Sequence, residues 1–402
     1  MVALLVFLGT YLVLAIGRAP GLRIDRTGAA IIGASLMIGA NVLSFDEAVR
    51  AVDHSTLVLL FGMMIVVANL RLSGFFRAVS ALAVRHAHHP LTLLAVIVAV
   101  SGAFSAFFVN DTVCLVLTPL VLDVTVALRR NPVPYLLAVA MASNVGSLAT
   151  LTGNPQNMMI GNLSGIRYRD FSTVMAPVAI FGLVMTFAVI AVVYRKEFSG
   201  RERVEPGELR VRVNRVLLWK SLITSAGMIV LFFCGWPVAK VAIVTGALLL
   251  VTRRVKPEKV YLEIDWSLLV LFAGLFIVVA GLEHSALEQD LLRVASMFRL
   301  NNSITLTAFS AALSNLVSNV PAVLLFRPIV RHLTSPRQGW LILAMSSTLA
   351  GNLTILGSVA NLIVVQRARQ VVRVGFWEYC RVGAPLTLAT LGAGLLYLCW
   401  RS

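Results

Sequence analysis

The sequence predicts an all-α polytopic membrane protein made of two inverted repeats of five spans each, every repeat carrying a re-entrant helical hairpin and a broken helix. Three observations predict it. Apolar residues make up 58% of the 402-residue chain and charged residues only 13%, with a mean hydropathy of +0.88; a soluble fold has no interior large enough to hide that surface. Long charge-poor stretches recur at 2–17, 55–70, 172–194 and 266–282, and several approach the ~20 residues that cross a bilayer core as helix. The two halves also resemble each other. Ile65-Val66-Val67-Ala68 followed by Leu70 returns as Ile277-Val278-Val279-Ala280 followed by Leu282, with Gly62 answering Gly274. Asn110 and Pro119 return at the same separation as Asn319 and Pro328, and Thr150, Gly153 and Asn157 return as Thr354, Gly357 and Asn361. Three matches in the same order mark an internal repeat. The short alternating segments of a β-barrel are not there.

In chain order, the first repeat (1–194) reads as spans near 2–17, 27–43 and 55–70, a hairpin at 91–128, a broken span at 134–162 and a span at 172–194. The first stretch lacks a basic leading region and a small-residue cleavage site, so it reads as a retained span. A polar linker, 195–215, divides the chain near its middle. The second repeat (216–402) has spans near 216–235, 237–251 and 266–283, a hairpin at 303–331, a broken span at 339–366 and a span at 378–400. An odd number of spans per half forces the second half to insert upside down, and inverted repeats hold substrate near the midplane where the halves meet.

Loop charge sets the expected orientation. With the N-terminus outside, the inner segments carry Arg18, Arg23 and Arg26, then Arg71, Arg77, Arg85, Arg129 and Arg130, the linker, Arg253, Arg254, Lys256 and Lys259, and Arg367, Arg369 and Arg373. The outer segments carry Asp46, Glu47, Asp53, Glu283, Glu288 and Asp290. This is the positive-inside bias, and it holds only if each hairpin re-enters on its own side: a cytoplasmic hairpin in the first repeat, a periplasmic one in the second. Both termini are then periplasmic and the linker cytoplasmic, in a prokaryotic inner membrane. The net charge of +16 is accounted for by topology, which leaves the lipid bilayer rather than nucleic acid as the partner. The stretch 75–84, flanked by Arg71, Arg77, His86, His88 and His89, reads as an interfacial amphipathic helix and not as a metal site. Cys114, Cys234, Cys380 and Cys399 form no C-x-x-C, so they read as small apolar side chains rather than zinc ligands.

Four polar segments interrupt the hydrophobic chain, in two related pairs. The hairpin tips hold Asn110, Asp111 and Thr112, and Ser318 and Asn319 before Val320. Backbone at such a tip is tolerated only against protein or a wet cavity, and a helix N-terminus with free N–H groups suits an anion or a polar oxo-ligand. The broken spans hold Thr152, Gly153, Asn154 and Asn157, and Thr354, Gly357, Ser358 and Asn361. Gly permits unwinding and Pro155 lacks an N–H, so these stretches break the helix. Paired breaks in matching positions point to a transport site. These residues are the candidate substrate-binding set. Asp111 stands apart, because it is ionisable in an otherwise uncharged stretch and Val320 takes its place in the second half. An ionisable group at membrane depth is functional by default, which makes Asp111 the candidate proton-coupling residue; the bland reading is a helix-capping carboxylate.

At these four segments the chain resembles the ion transporter superfamily, and within it the arsenical-resistance efflux permeases of the arsenite/antimonite branch. The resemblance rests on Ser73-Gly74-Phe75-Phe76, on Phe107-x-x-Asn110-Asp111 followed by Leu117-Thr118-Pro119, and on Asn319-Val320-Pro321-Ala322-Val323-Leu324. It implies outer scaffold spans, a mobile unit of hairpins and broken helices moving as an elevator, a homodimer, and a cytoplasmic ATPase partner. The segment from Thr152 to Asn157 is more similar to the silicon-efflux and melanosomal P-protein branches. The tips depart from the Ser-Asn-Thr of dicarboxylate carriers.

The function expected from this reading is proton-coupled efflux of a small inorganic solute, arsenite or antimonite, with H+ as coupling ion and no cofactor. Trivalent arsenic is a mostly neutral hydroxide near neutral pH, so Asn, Ser and Thr side chains suit it, and Cys114 is a further candidate contact. Two other readings stay open on the same fold: a sodium/proton antiporter with Na+ at Asp111 and the freed carbonyls, and a carrier for silicate, sulfate or a dicarboxylate. No metal-ligand cluster, nucleophile elbow or phosphate loop supports an enzyme.

Overall fold

The computed structural model describes residues 2–17, 23–85, 89–199, 213–252, 255–284, 293 and 296–401. The described residues form helices and turns without a sheet. The first half runs α1 (Val2–Ile16), α2 (Arg26–Gly39), α3 (Phe45–Ala51), α4 (His54–Ser73), α5 (Phe75–Arg85), a hairpin of α6 (Pro90–Phe107) and α7 (Asn110–Ala127), α8 (Pro132–Ser147), α9 (Pro155–Ser164), α10 (Tyr168–Val193) and α11 (Arg195–Phe198). The second half runs α12 (Arg215–Phe233), α13 (Val238–Leu250), α14 (Pro257–Tyr261), α15 (Trp266–Glu283), a hairpin of α16 (Ser303–Val317) and α17 (Asn319–Arg331), α18 (Pro336–Ala350), a 3-10 turn (Ile355–Gly357), α19 (Val359–Ala368) and α20 (Phe376–Arg401). Both hairpins and both broken helices stand where the sequence places them. Residues 200–212 of the linker, and His86 and His88, lie outside the described residues. The short α3, α11 and α14 are additions to the sequence reading; α3 is set by a capping box between Ser44 and Glu47.

Among the described residues, seven helices are long and apolar enough to cross a membrane, and two of those, α6 and α7, are the arms of the first hairpin. Three other spans are short: α1 has 15 residues, α2 has 14 and α13 has 13. At 1.5 Å per residue they reach only about 20 Å. The shortness of α2 and α13 is itself part of the repeat.

Packing repeats as well. α4 lies on α13, and its counterpart α15 lies on α2. A Cβ on Gly62 would sit 2.6 Å from the backbone carbonyl carbon of Ala242, and a Cβ on Gly274 would sit 2.8 Å from that of Ala30. Only glycine lets these backbones touch. Ala30 and Ala242 are separated by as many residues as Gly62 and Gly274, so one crossing occurs twice. Both α4 and α15 begin on an aspartate cap: Asp53 accepts from the N–H of Thr56 at 3.1 Å, and Asp265 from that of Leu268 at 2.9 Å.

The helices sort into two groups. α1, α2, α4, α12, α13 and α15 pack on one another as a scaffold. The other group pairs α6 with α8, α16 with α18, α7 with α8 and α19, and α10 with α20. The groups meet where α1 touches α16, α15 touches α17 and α4 touches α9. α5 is joined to α6 by an edge-on aromatic cluster, with Phe76 5.1 Å from Phe104 and 5.8 Å from Phe108 between ring centroids.

Candidate substrate cavity

The two breaks are built alike. Asn157 donates its side-chain N–H groups to the carbonyls of Ser147 (3.2 Å) and Thr150 (3.1 Å); Asn361 donates to those of Gly351 (2.7 Å) and Thr354 (3.0 Å). Each asparagine thus satisfies carbonyls that the unwound turn releases, which is the condition for irregular backbone at membrane depth. The restarted helix is capped in both cases: Asn154 accepts from the N–H of Asn157 at 2.8 Å, and Ser358 from that of Ala360 at 3.2 Å. Gly153 is required by contact, since a Cβ there would overlap the carbonyl of Ser147.

Asn144, buried at the end of α8, ties the pieces together. Its Oδ1 accepts from Asn110 Nδ2 and Ser358 Oγ, both at 3.0 Å, and its Nδ2 donates to Asn352 Oδ1 and Asn361 Oδ1, both at 2.9 Å. The first hairpin tip is fixed a second time by the Asn110 N–H, which donates to the Gly153 carbonyl at 3.0 Å. At the other tip, the Asn319 amide donates to the carbonyls of Gly357 (3.2 Å) and Ser347 (3.1 Å) and accepts from Gln156 Nε2 (3.1 Å). Each tip therefore rests on a break, and Gln156 crosses from one half to the other.

Between tips and breaks lies a cavity of about 90 Å³. One side is formed by Asn110, Asp111, Pro155, Gln156, 317–321, Ser358 and Val359 of the hairpins and breaks; the scaffold side by Leu14, Arg26, Leu268 and Leu271. The buried Asn110 Oδ1 has no hydrogen-bond partner among the described residues. Asp111 sits in the first turn of α7 without capping it: the cap position is Val109 and no side chain bonds there. The capping reading of Asp111 is therefore not what the structure contains. Ser318 holds φ 79° and ψ 160°, a region that costs a non-glycine residue about 1–3 kcal/mol.

Of the candidate residues, Asn110, Asp111, Ser318, Asn319 and Ser358 line the cavity. Thr112, Thr152, Gly153, Asn154, Asn157, Thr354, Gly357 and Asn361 do not; they form the hydrogen-bonded frame behind it. Thr152, for example, turns its hydroxyl to Tyr168 at 3.0 Å. Cys114 likewise faces α8, with Sγ 2.9 Å from Ser143 Oγ. The sequence reading missed three residues. Gln156 and Asn144 were legible as polar positions in a broken span. Arg26 was counted as a loop charge, and its signal was its counterpart: at the spacing that relates Gly62 to Gly274, Arg26 answers Val238.

Paired hairpin tips meeting paired helix breaks at a cavity inside a multi-pass bundle define a secondary transporter. The family model described as "Citrate transporter" matches residues 11–350, and the chain belongs to that family within the ion transporter superfamily. It is 31% identical to a silicon efflux transporter of Oryza sativa subsp. japonica, over 94% of this chain and 93% of that one. It is 28% identical to an uncharacterized transporter of Mycobacterium tuberculosis (99% and 97% covered) and 23% identical to a putative arsB transporter of Dictyostelium discoideum (93% and 87%). Among solved structures it is similar to the YdaH transporter of Alcanivorax borkumensis, with a TM-score of 0.63 at 16% identity, covering 99% of this chain and 96% of that one. It is also similar to MtrF of Neisseria gonorrhoeae, with a TM-score of 0.60 at 12% identity (99% and 93%).

Proposed function

We propose that the chain exports an uncharged metalloid hydroxide, arsenite or antimonite or their close analogue silicic acid, in exchange for protons carried on Asp111. The observation that carries this reading is the make-up of the cavity. It is lined by the amides of Asn110, Gln156 and Asn319, the hydroxyls of Ser318 and Ser358, the carboxylate of Asp111 and the guanidinium of Arg26. The Asp111 carboxylate accepts hydrogen bonds from a hydroxide's O–H groups, while helix N-termini donate to its oxygens. A tricarboxylate would set its charges against Asp111. The relatives named for silicon efflux and for arsB support the same solute class.

Position supports export. Leu14 lies in the last turn of α1, Arg26 opens α2, and Leu268 and Leu271 lie in the first turns of α15. In the orientation expected from loop charge these are all cytoplasmic ends, so the cavity stands at the cytoplasmic side of the scaffold, ready to load. The mobile group of hairpins and broken helices then carries the solute across as an elevator, in a prokaryotic inner membrane and as a homodimer.

Flux into everted vesicles under an imposed proton gradient tests this. Arsenite or silicic acid should accumulate and Na+ should not. Accumulation of Na+ with neither metalloid would replace this reading with the sodium/proton antiporter.

A further inference from the structure

The cavity has two charged residues in its wall, Asp111 on the mobile unit and Arg26 on the scaffold. Both line the same cavity, and no ion pair joins them among the described residues. Arg26 is held in place: its Nε donates to the carbonyl of Leu14 at 3.1 Å, and its terminal nitrogens have no partner among the described residues. The rest of the scaffold wall is Leu14, Leu268 and Leu271, an apolar surface in which a guanidinium is costly.

The repeat shows that neither charge is demanded by the fold. At matching positions of the second half, Arg26 is answered by Val238 and Asp111 by Val320. The inverted architecture is built twice, once with this pair of opposite charges and once with a pair of valines. Other groups near Asp111 are already engaged. Asp265 reaches it through space from the cap of α15 but is bound to the Leu268 N–H; Tyr11 of α1 donates to the Pro321 carbonyl at 3.0 Å; Cys114, one turn along α7, is turned to Ser143. Arg26 is the cation that shares the cavity wall with the carboxylate.

We propose that Arg26 is the counter-charge through which the scaffold senses Asp111: the empty unit with an ionised carboxylate is drawn onto the guanidinium and held, and a proton on Asp111 or a solute seated between the two frees it to move. Arg26 is a positioning residue in this account and touches no reacting atom. The device holds the empty, unprotonated unit at the loading side and so opposes its outward step, which would let protons leak inward without solute movement. It rests on the reading of Asp111 as the proton carrier.

The test has a transport arm and a substrate-free arm. In proteoliposomes, Arg26→Gln should lose accumulation of arsenite or silicic acid against a gradient while retaining downhill exchange, and Arg26→Lys should restore accumulation. Without any solute, at alkaline pH, the melting temperatures of Arg26→Gln, Asp111→Asn and the double variant should be non-additive, the double variant melting no lower than the weaker single. Undiminished accumulation by Arg26→Gln would overturn the proposal. So would additive melting shifts, which would leave Arg26 serving only the Leu14 carbonyl. If the native chain moves neither metalloid, the solute assignment fails, and the melting cycle alone decides whether Arg26 and Asp111 work as a pair.

Discussion

At the scale of single residues, Asp111 and Asn144 show two ways of placing a polar group at membrane depth. Asp111 has an open cavity in front of it and caps nothing, so its contribution to folding is limited to the favourable position of a carboxylate in the first turn of a helix, about 0.3–1 kcal/mol. Asp111→Asn should therefore fold nearly as well as the native chain. Measured in proteoliposomes, it should lose uphill transport and keep downhill exchange, because exchange needs no net proton transfer. Uphill flux at the native rate would remove Asp111 from the coupling role. Asn144 is the opposite case. Four side chains depend on it, and Asn144→Ala would leave several buried groups without partners at about 1–3 kcal/mol each. A loss of at least about 3 kcal/mol should follow, read as a lower melting temperature and a poor folded yield. The same scale shows what sequence alone can see. A lone aspartate among apolar residues announces itself. A position on the cavity wall does not, because a break in a helix tells where the chain unwinds and not which side of the turn meets the cavity. That is why eight of the candidate residues turned out to belong to the frame. Arg26 was hidden for another reason: it follows Arg23 at the foot of a span, where an arginine ordinarily reports topology.

At the scale of elements, the repeat is carried by glycine. The crossing of α4 on α13 and that of α15 on α2 both bring a glycine Cα against the partner's backbone, and backbone has no rotamer by which to retreat. Gly62→Ala and Gly274→Ala should each destabilise the protein by about 1–3 kcal/mol, the usual range for overpacking, and by similar amounts because the crossings are counterparts. Gly227→Ala in α12 is the control: nothing lies within 4 Å of its Cβ position, so it should carry no such cost. Thermal unfolding of the three variants in one detergent checks the pattern, and a large difference between Gly62→Ala and Gly274→Ala would speak against equivalent crossings. These elements were legible because hydropathy, glycine and proline write directly into backbone. The short helices α3, α11 and α14 were not, since one or two turns set by local caps leave no periodicity to read.

At the scale of the whole molecule, the bias of loop charge leads us to expect the linker 195–215 in the cytoplasm and both termini in the periplasm. Ser199→Cys is the measurement. A membrane-impermeant thiol reagent should label it in everted vesicles and not in intact spheroplasts. Labelling only from the periplasmic face would invert the assignment and turn the loading side of the cavity into the release side.

The asymmetry between the two halves makes a stronger whole-molecule prediction. In the present state the second hairpin leans on the scaffold, with Tyr11 bonded to Pro321 and Arg327 3.7 Å from Glu283. The matching contacts of the first hairpin with the scaffold are not made: Leu59, the counterpart of Leu271, is fully buried elsewhere, and Thr56, the counterpart of Leu268, is taken up by Asp53 and Asn162. An inverted repeat can exchange these roles between its halves at little cost, because both arrangements use the same packing. In the state that faces the opposite side, the first hairpin tip should then lean on Thr56, Leu59 and Val238. With the four native cysteines replaced, Leu271→Cys and Pro321→Cys should cross-link in the resting carrier. Leu59→Cys and Thr112→Cys should cross-link only under conditions that drive the unit across, and the linked protein should be trapped facing the periplasm. If the second pair never links during turnover, the mobile unit does not travel by exchanging the roles of its two halves, and the opposite state must be built from contacts that the repeat does not supply.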